Sequence, residues 1–194
     1  MAENLFLLKR RIRTAKNIAQ IAKAMEMISA SKIKRAQIAV ENNKPYAHRI
    51  TRLTQDLLNK VNLEKFSSPY LLTSGATDKP LLIVISPDKG LCGSLNTNLY
   101  KKLLDIDPQD SRIVTIGKKA EQFASRMKLD ILASFPMGTS LPNYSLVFQL
   151  IHLIDPMVQS GEINKVEVLY TEFEAIFTQY PLLTQLLPLN TVTV

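Results

Sequence analysis

The sequence has 194 residues, enough for one domain of ordinary size plus an extension. A hydrophobic share of 46% with 21% charged residues excludes a disordered or fibrous chain, and a single cysteine, Cys92, excludes a disulfide framework within it and suits a reducing compartment. The net charge of +7 is unevenly placed: residues 1–60 carry 13 Lys/Arg against 4 Asp/Glu and the remainder 11 against 13, so a basic segment precedes a near-neutral globule.

Four apolar residues before Lys9 and Arg10 are too few for a signal-peptide core. No run approaches the ~20 apolar residues that span a bilayer. The expectation is a soluble cytoplasmic protein, free to sit against a membrane complex. From about Leu5 to Val40 the chain lacks Gly and Pro and is rich in Ala, Lys, Arg, Met and Ile, which predicts helix. Leu5, Leu8, Ile12, Ala15, Ala19, Ala22, Glu26, Ser29, Ile33, Ala36 and Val40 follow alternating steps of three and four. That is a coiled-coil seam of five heptads, with small residues at d that let a partner backbone approach closely. Ile18, Ile21, Met25 and Ile28 widen the apolar stripe, so the helix is expected to be enclosed on more than one side.

Pro45, after Asn42, Asn43 and Lys44, is expected to interrupt this helix or to open the next one. Helical spacing resumes with Tyr46, Ile50, Leu53, Leu57 and Leu58 and fades near Asn62. The composition divides the chain into a helical segment 1–62, a linker 63–79 and an α/β domain 80–194. Residues 81–86 read as a strand buried on both faces. A turn at 87–90 then leads to a helix over 94–104. Strands are predicted at 112–116, 130–135 and 165–171, and helices at 118–127 and 143–159. Ile176-Phe177-Thr178 and residues 181–189 look extended, as an edge strand or hairpin. Repeated β-α-β order makes the fold class α/β, an open, mostly parallel sheet with helices on both faces.

The densest chemistry lies at residues 86–96, at the carboxyl end of the first strand, where open α/β sheets bind ligands. The phosphate-loop pattern and the dinucleotide glycine pattern are both missing. A thiol nucleophile at Cys92, with Asp88 beside it, would make a small hydrolase, but a nucleophile needs a base. His48 lies on the long helix and His152 in an apolar helical stretch. The simpler reading is that Gly90 and Gly93 permit a tight strand-to-helix turn. One Cys and two distant His give no closely spaced metal-ligand set. Asp105/Asp107 and Glu172/Glu174 are expected to be solvated surface. Lys9, Lys16 and Lys23, with Arg10, Arg11, Arg13, Lys32, Lys34 and Arg35, could serve a basic nucleic-acid adaptor. They flank an apolar seam without interleaved aromatics, which suits coiled-coil flanks better.

Residues 23–32 read Lys-Ala-Met-Glu-Met-Ile-Ser-Ala-Ser-Lys, after Arg11-Ile12 and before Arg35-Ala36-Gln37. Residues 86–96 read Ser-Pro-Asp-Lys-Gly-Leu-Cys-Gly-Ser-Leu-Asn, with Asn98-Leu99 downstream, and residues 185–189 read Gln-Leu-Leu-Pro-Leu. With Lys44-Pro45-Tyr46, these motifs resemble those of F-type ATP synthase gamma subunits, in family order and across essentially the whole chain. Pro87 departs from the family's usual small hydroxyl residue. The resemblance implies a Rossmann-like foot on a coiled-coil shaft, and a non-catalytic subunit that carries torque between a membrane rotor ring and the alpha and beta subunits of a catalytic hexamer, beside epsilon. It implies no cofactor, metal, nucleic acid or small-molecule substrate, and a peripheral position on the cytoplasmic face of the membrane. Lys23, Met25 and Glu26 would meet acidic loops of the catalytic subunits, and Gly90, Leu91, Cys92 and Gly93 would lie near the ring and epsilon. The family's second, longer shaft helix has no counterpart before Val194, so the seam of residues 5–40 is expected to need a helix from elsewhere. A truncated gene, a split subunit and a variant that pairs otherwise would each account for this.

Overall fold

The computed structural model describes residues 2–60, 68–71, 80–138, 142 and 144–189. Most of the expected linker 63–79, the end of the expected helix at 61–62 and the last five residues lie outside the described residues. The chain divides into two compact units, Met1–Thr54 and Gln55–Val194.

The first unit is helix throughout, part of α1 (Ala2–Lys60), which is 59 residues long. At 1.5 Å per residue, α1 measures about 90 Å. Its seam residues are about half exposed, with Leu5 at 55% and Ile33 at 52%. Helix propensity and hydrogen bonds within the helix carry this unit. Thr14 Oγ1 donates to the carbonyl of Arg10, and Thr51 and Thr54 donate in the same way to Ala47 and Ile50. The expected interruption at Pro45 does not occur, and α1 runs through it. Proline removes the hydrogen bond to the Glu41 carbonyl, at a cost of about 3 kcal/mol. Glu41 is exposed, so water reaches that carbonyl. Asn43 Nδ2 donates to the Ala39 carbonyl at 2.8 Å, which ties the turn before the proline.

The second unit is a doubly wound α/β domain. Its elements are β1 (Leu81–Ile85), α2 (Leu95–Asp105), β2 (Arg112–Ile116), α3 (Lys118–Arg126), β3 (Asp130–Phe135), α4 (Tyr144–Gln159), β4 (Val166–Ala175) and β5 (Thr178–Leu187). The sheet order is β3-β2-β1-β4-β5, parallel except for the antiparallel β4–β5 pair. Alternation along β1 builds the core on both faces. Leu82 and Val84 point into a cluster with Leu99 and Leu103 of α2 and Ala120 and Ala124 of α3. Leu81 and Ile83 point into another with Val114, Ile116 and Val158 of α4. Tyr100 stacks on Phe123 with ring centroids 4.1 Å apart, which joins α2 to α3. The continuous apolar run of residues 81–85 is thus required by helices on both sides.

The fourth strand is longer than the expected 165–171, because β4 continues to Ala175 as one arm of a hairpin. Ile176 and Phe177, expected to be extended, are instead its two-residue turn, between the paired Ala175 and Thr178. β4 pairs with β1 only from Val166 to Leu169. Beyond that, the hairpin is a ribbon two strands wide.

Candidate functional site

Three loops meet at the carboxyl edge of the sheet: those after β1, β2 and β3. β1 ends by burying Ser86, whose Oγ accepts the backbone N–H of Ala120 at 2.7 Å. Gly117 closes on it with φ of 98°, and a Cβ there would stand 1.8 Å from the Ser86 carbonyl oxygen. Glycine is therefore obligatory at Gly117 on two counts, conformation and space.

The next polar group, Asp88, joins all three loops. Its carboxylate accepts the backbone N–H of Lys118 at 2.9 Å, of Met137 at 3.1 Å and of Gly138 at 2.7 Å. The Lys118 N–H bond holds this carboxyl below its ordinary range, with burial opposing and the Gly138 and Met137 bonds and the Lys118 charge assisting. A carboxylate engaged by three backbone donors acts as a staple. It is badly placed to take a proton from Cys92, so the hydrolase reading loses its acid–base partner.

Residues Gly90, Leu91, Cys92 and Gly93 form the turn into α2. Gly93 takes the left-handed region expected of it, with φ of 61°. Gly90 does not need to be glycine: a Cβ there would meet nothing closer than the Lys119 Cε at 3.6 Å, an ordinary contact. The other left-handed position belongs to Leu91, at φ 61°, whose side chain is fully exposed. The expected pair of enabling glycines is thus a leucine and a glycine. Cys92 is partly buried, with Asn96 Nδ2 3.2 Å from its sulfur. His152 is an exposed residue of α4, and His48 belongs to the other unit.

Two depressions share the Cys92–Gly93 wall. An open cleft of about 760 Å³ runs toward α3 and is bordered by Asn96, Tyr100, Lys118, Lys119, Glu121 and Arg126. A recess of about 400 Å³ lies on the other side, against the hairpin turn. Among the described residues, no group of His, Cys, Asp and Glu could hold a metal ion.

In the first unit, Lys23 Nζ lies 3.0 Å from Glu26 Oε2, an exposed pair one turn apart. Met25 beside them is 63% exposed. Sequence reasoning took Ile176 and Phe177 as extended chain without a functional role and did not single out Lys118, Lys119 and Arg126. The available signal was two bulky apolar residues at a hairpin turn, where Asn-Gly or Asp-Gly is usual.

A protein family described as ATP synthase matches residues 4–194. An ATP synthase gamma chain of Dehalococcoides mccartyi is 35% identical over 193 residues, covering 97% of this chain and 67% of that protein. The chain belongs to the ATP synthase gamma-chain family. The gamma chain of Opitutus terrae is 35% identical over 185 residues, and this chain spans 61% of that protein's length. For the gamma chain of Desulfitobacterium hafniense the figures are 32% identity over 187 residues and 65% of its length. The chain therefore spans less than two thirds of these two relatives. In fold it is similar to a chain in the central stalk and c-ring of the Tetrahymena thermophila mitochondrial ATP synthase. The TM-score is 0.68 at 24% identity, over 87% of this chain and 72% of that one.

Proposed function

We propose that this gamma-family chain is a torque-carrying part of the central stalk of a rotary F-type ATP synthase and does no bond chemistry itself. The observation that carries this reading is the family match over residues 4–194, which includes the helix and the α/β domain together. In this reading, residues 1–62 are one half of the shaft, 63–79 a linker and 80–194 the foot. The partners are the alpha and beta subunits of the catalytic hexamer, epsilon and the membrane rotor ring, with no nucleic acid, cofactor or small-molecule substrate. The chain then sits peripherally at the cytoplasmic face. Among the described residues no helix is long and apolar enough to cross a membrane, which agrees with a peripheral position.

The geometry suits these roles. Lys23 pairs with Glu26, and an exposed pair of this spacing contributes about 0.5 kcal/mol or less. An acidic loop can therefore draw the ammonium away at little cost. Met25 offers an adaptable apolar surface to a neighbour that changes during rotation. Gly90, Leu91, Cys92 and Gly93 project from a sheet edge locked by Ser86 and Asp88, and a foot contact needs that rigidity. The test is reconstitution of the chain with alpha, beta, epsilon and ring subunits. Co-purification with both hexamer and ring is expected, and Lys23→Glu should weaken the hexamer contact only. A chain that joins neither, or that binds ATP saturably one to one on its own, refutes the proposal.

A further inference from the structure

Between α4 and the end of β5 a groove of about 330 Å³ opens to the surface of the second unit. Its floor belongs to the core: Ile83 of β1 and Val166 of β4 line it, and they are only 4% and 1% exposed. Val147, Ile151 and Ile154 of α4 border one side and Leu186 of β5 the other. A depression that reaches the sheet differs from a shallow apolar patch. The core side chains leave it unfilled, and its volume is that of a site for one small molecule.

The polar part of this lining is Asp155, with Tyr70 beside it. Tyr70 donates its hydroxyl to Asp155 Oδ1, and Gln159 Nε2 donates to Oδ2 at 2.8 Å. Both donors are neutral. Asp155 is the only Asp, Glu, Lys or Arg among the 16 residues of α4, and among the described residues no Lys or Arg pairs with it. A carboxylate has about four acceptor sites, and the two bonds leave the others open. Half-buried beside an apolar surface, this charge is held in a fixed orientation and is not neutralised by the fold.

We propose that the α4–β5 groove is a binding site for a small amphiphilic amine, whose apolar body lies against Ile83, Val166 and Ile151 and whose ammonium donates to the open acceptor sites of Asp155. Such a site does not depend on the rotor reading. The carboxylate decides the class of ligand. A fatty acid or a phosphate headgroup sets an anion against Asp155, and a neutral hydrocarbon leaves it without a counter-ion, whereas an ammonium gains a charge-assisted hydrogen bond. The depth and volume of the groove suit one chain or ring, not a row of side chains spaced along a partner helix. The bound amine joins α4 and β5 to Tyr70, whose carbonyl accepts the Leu189 N–H at 2.9 Å. It therefore tightens the point at which the chain leaves the sheet.

Isothermal titration of the full chain with octylammonium chloride, below micelle formation, should show saturable one-to-one binding. Octanol should bind about tenfold more weakly, and octanoate not measurably. Asp155→Asn keeps the side chain's size and should bring octylammonium down to the level of octanol. Ile151→Lys, at a position 52% exposed and one turn from Asp155, supplies an ammonium from the chain itself and should abolish binding. Melting curves check that both variants fold, and octylammonium, but not octanoate, should raise the melting temperature of the unaltered chain. Phe148→Ser, on the same helix but outside the groove lining, should bind as the unaltered chain does. Octanoate bound as tightly as octylammonium, or an Asp155→Asn variant with undiminished affinity, overturns the proposal. So does the absence of saturable octylammonium binding. If in that case Ile151→Lys also fails to join the hexamer and ring that the unaltered chain joins, the groove is the seat of a protein segment instead.

Discussion

Replacing Asp88 by alanine removes three hydrogen bonds at once, from Lys118, Met137 and Gly138. A bond from a backbone N–H to a charged acceptor is worth about 1.5–3 kcal/mol where water is excluded. Asp88 is only partly buried, so water recovers a share of each, and about 2–3 kcal/mol is expected for the set. In a domain of this size that lowers the melting temperature by roughly 5–10 °C. Asp88→Asn should fall between the two, because its amide oxygen can keep the Lys118 and Met137 bonds while its NH₂ faces the Gly138 N–H. The pH dependence supplies a second readout. The folded carboxyl titrates below its unfolded value of about 4, so its contribution is present in full above that pH and is lost as pH falls through the lower, folded value. The unaltered chain should therefore show a stability decline in this acid range that Asp88→Ala lacks. Thermal melting by circular dichroism between about pH 2 and 7 measures both effects. An alanine variant that melts with the wild type and keeps the same acid decline would refute the staple.

Gly117→Ala should be far more damaging, by about 4 kcal/mol or more, because its Cβ meets the Ser86 carbonyl and no side chain can yield. An unchanged melting temperature would contradict the packing described. Cys92 should react with a maleimide in the free chain and be protected once the foot is seated on its partner; equal labelling in both states removes the grounds for that contact. The exposed seam of α1 should drive concentration-dependent self-association, which Ile12→Glu with Ile33→Glu abolishes while the α/β domain melts unchanged. Sedimentation showing a monodisperse monomer, with the α1 amides strongly protected from exchange, would refute this.

The α/β architecture was legible because its signals are local. Five consecutive apolar residues at 81–85 describe a strand covered twice, and the alternation of strand and helix fixes a parallel sheet. Pro45 misled because a local rule predicts a break, whereas a long helix tolerates one lost bond when water reaches the freed carbonyl. The outer half of β4 escaped because Glu172 and Glu174 lie on a ribbon beyond the sheet. The alternation of Glu172-Phe173-Glu174-Ala175 is there, but two acidic residues in four read as solvated surface. The role of Asp88 was invisible for a different reason: its partners are backbone N–H groups 30, 49 and 50 residues away, and a backbone donor leaves no mark in a sequence. Nothing local in the sequence shows that a side chain at Gly117 would strike the Ser86 carbonyl.

The ribbon has a mechanical consequence. Its inner end, Val166 to Leu169, is clamped by β1 and its outer part is a cantilever two strands wide, exposed from Glu174 to Tyr180. Two-stranded ribbons twist more than broad sheets and bend far more easily across their face than within it. The Leu91 turn, by contrast, springs from an edge fastened by Ser86 and Asp88. A load taken by both turns is therefore divided between a stiff abutment and a compliant spring. A displacement applied at the two turns would thus be taken up in the ribbon, while the edge fastened by Ser86 and Asp88 keeps its place.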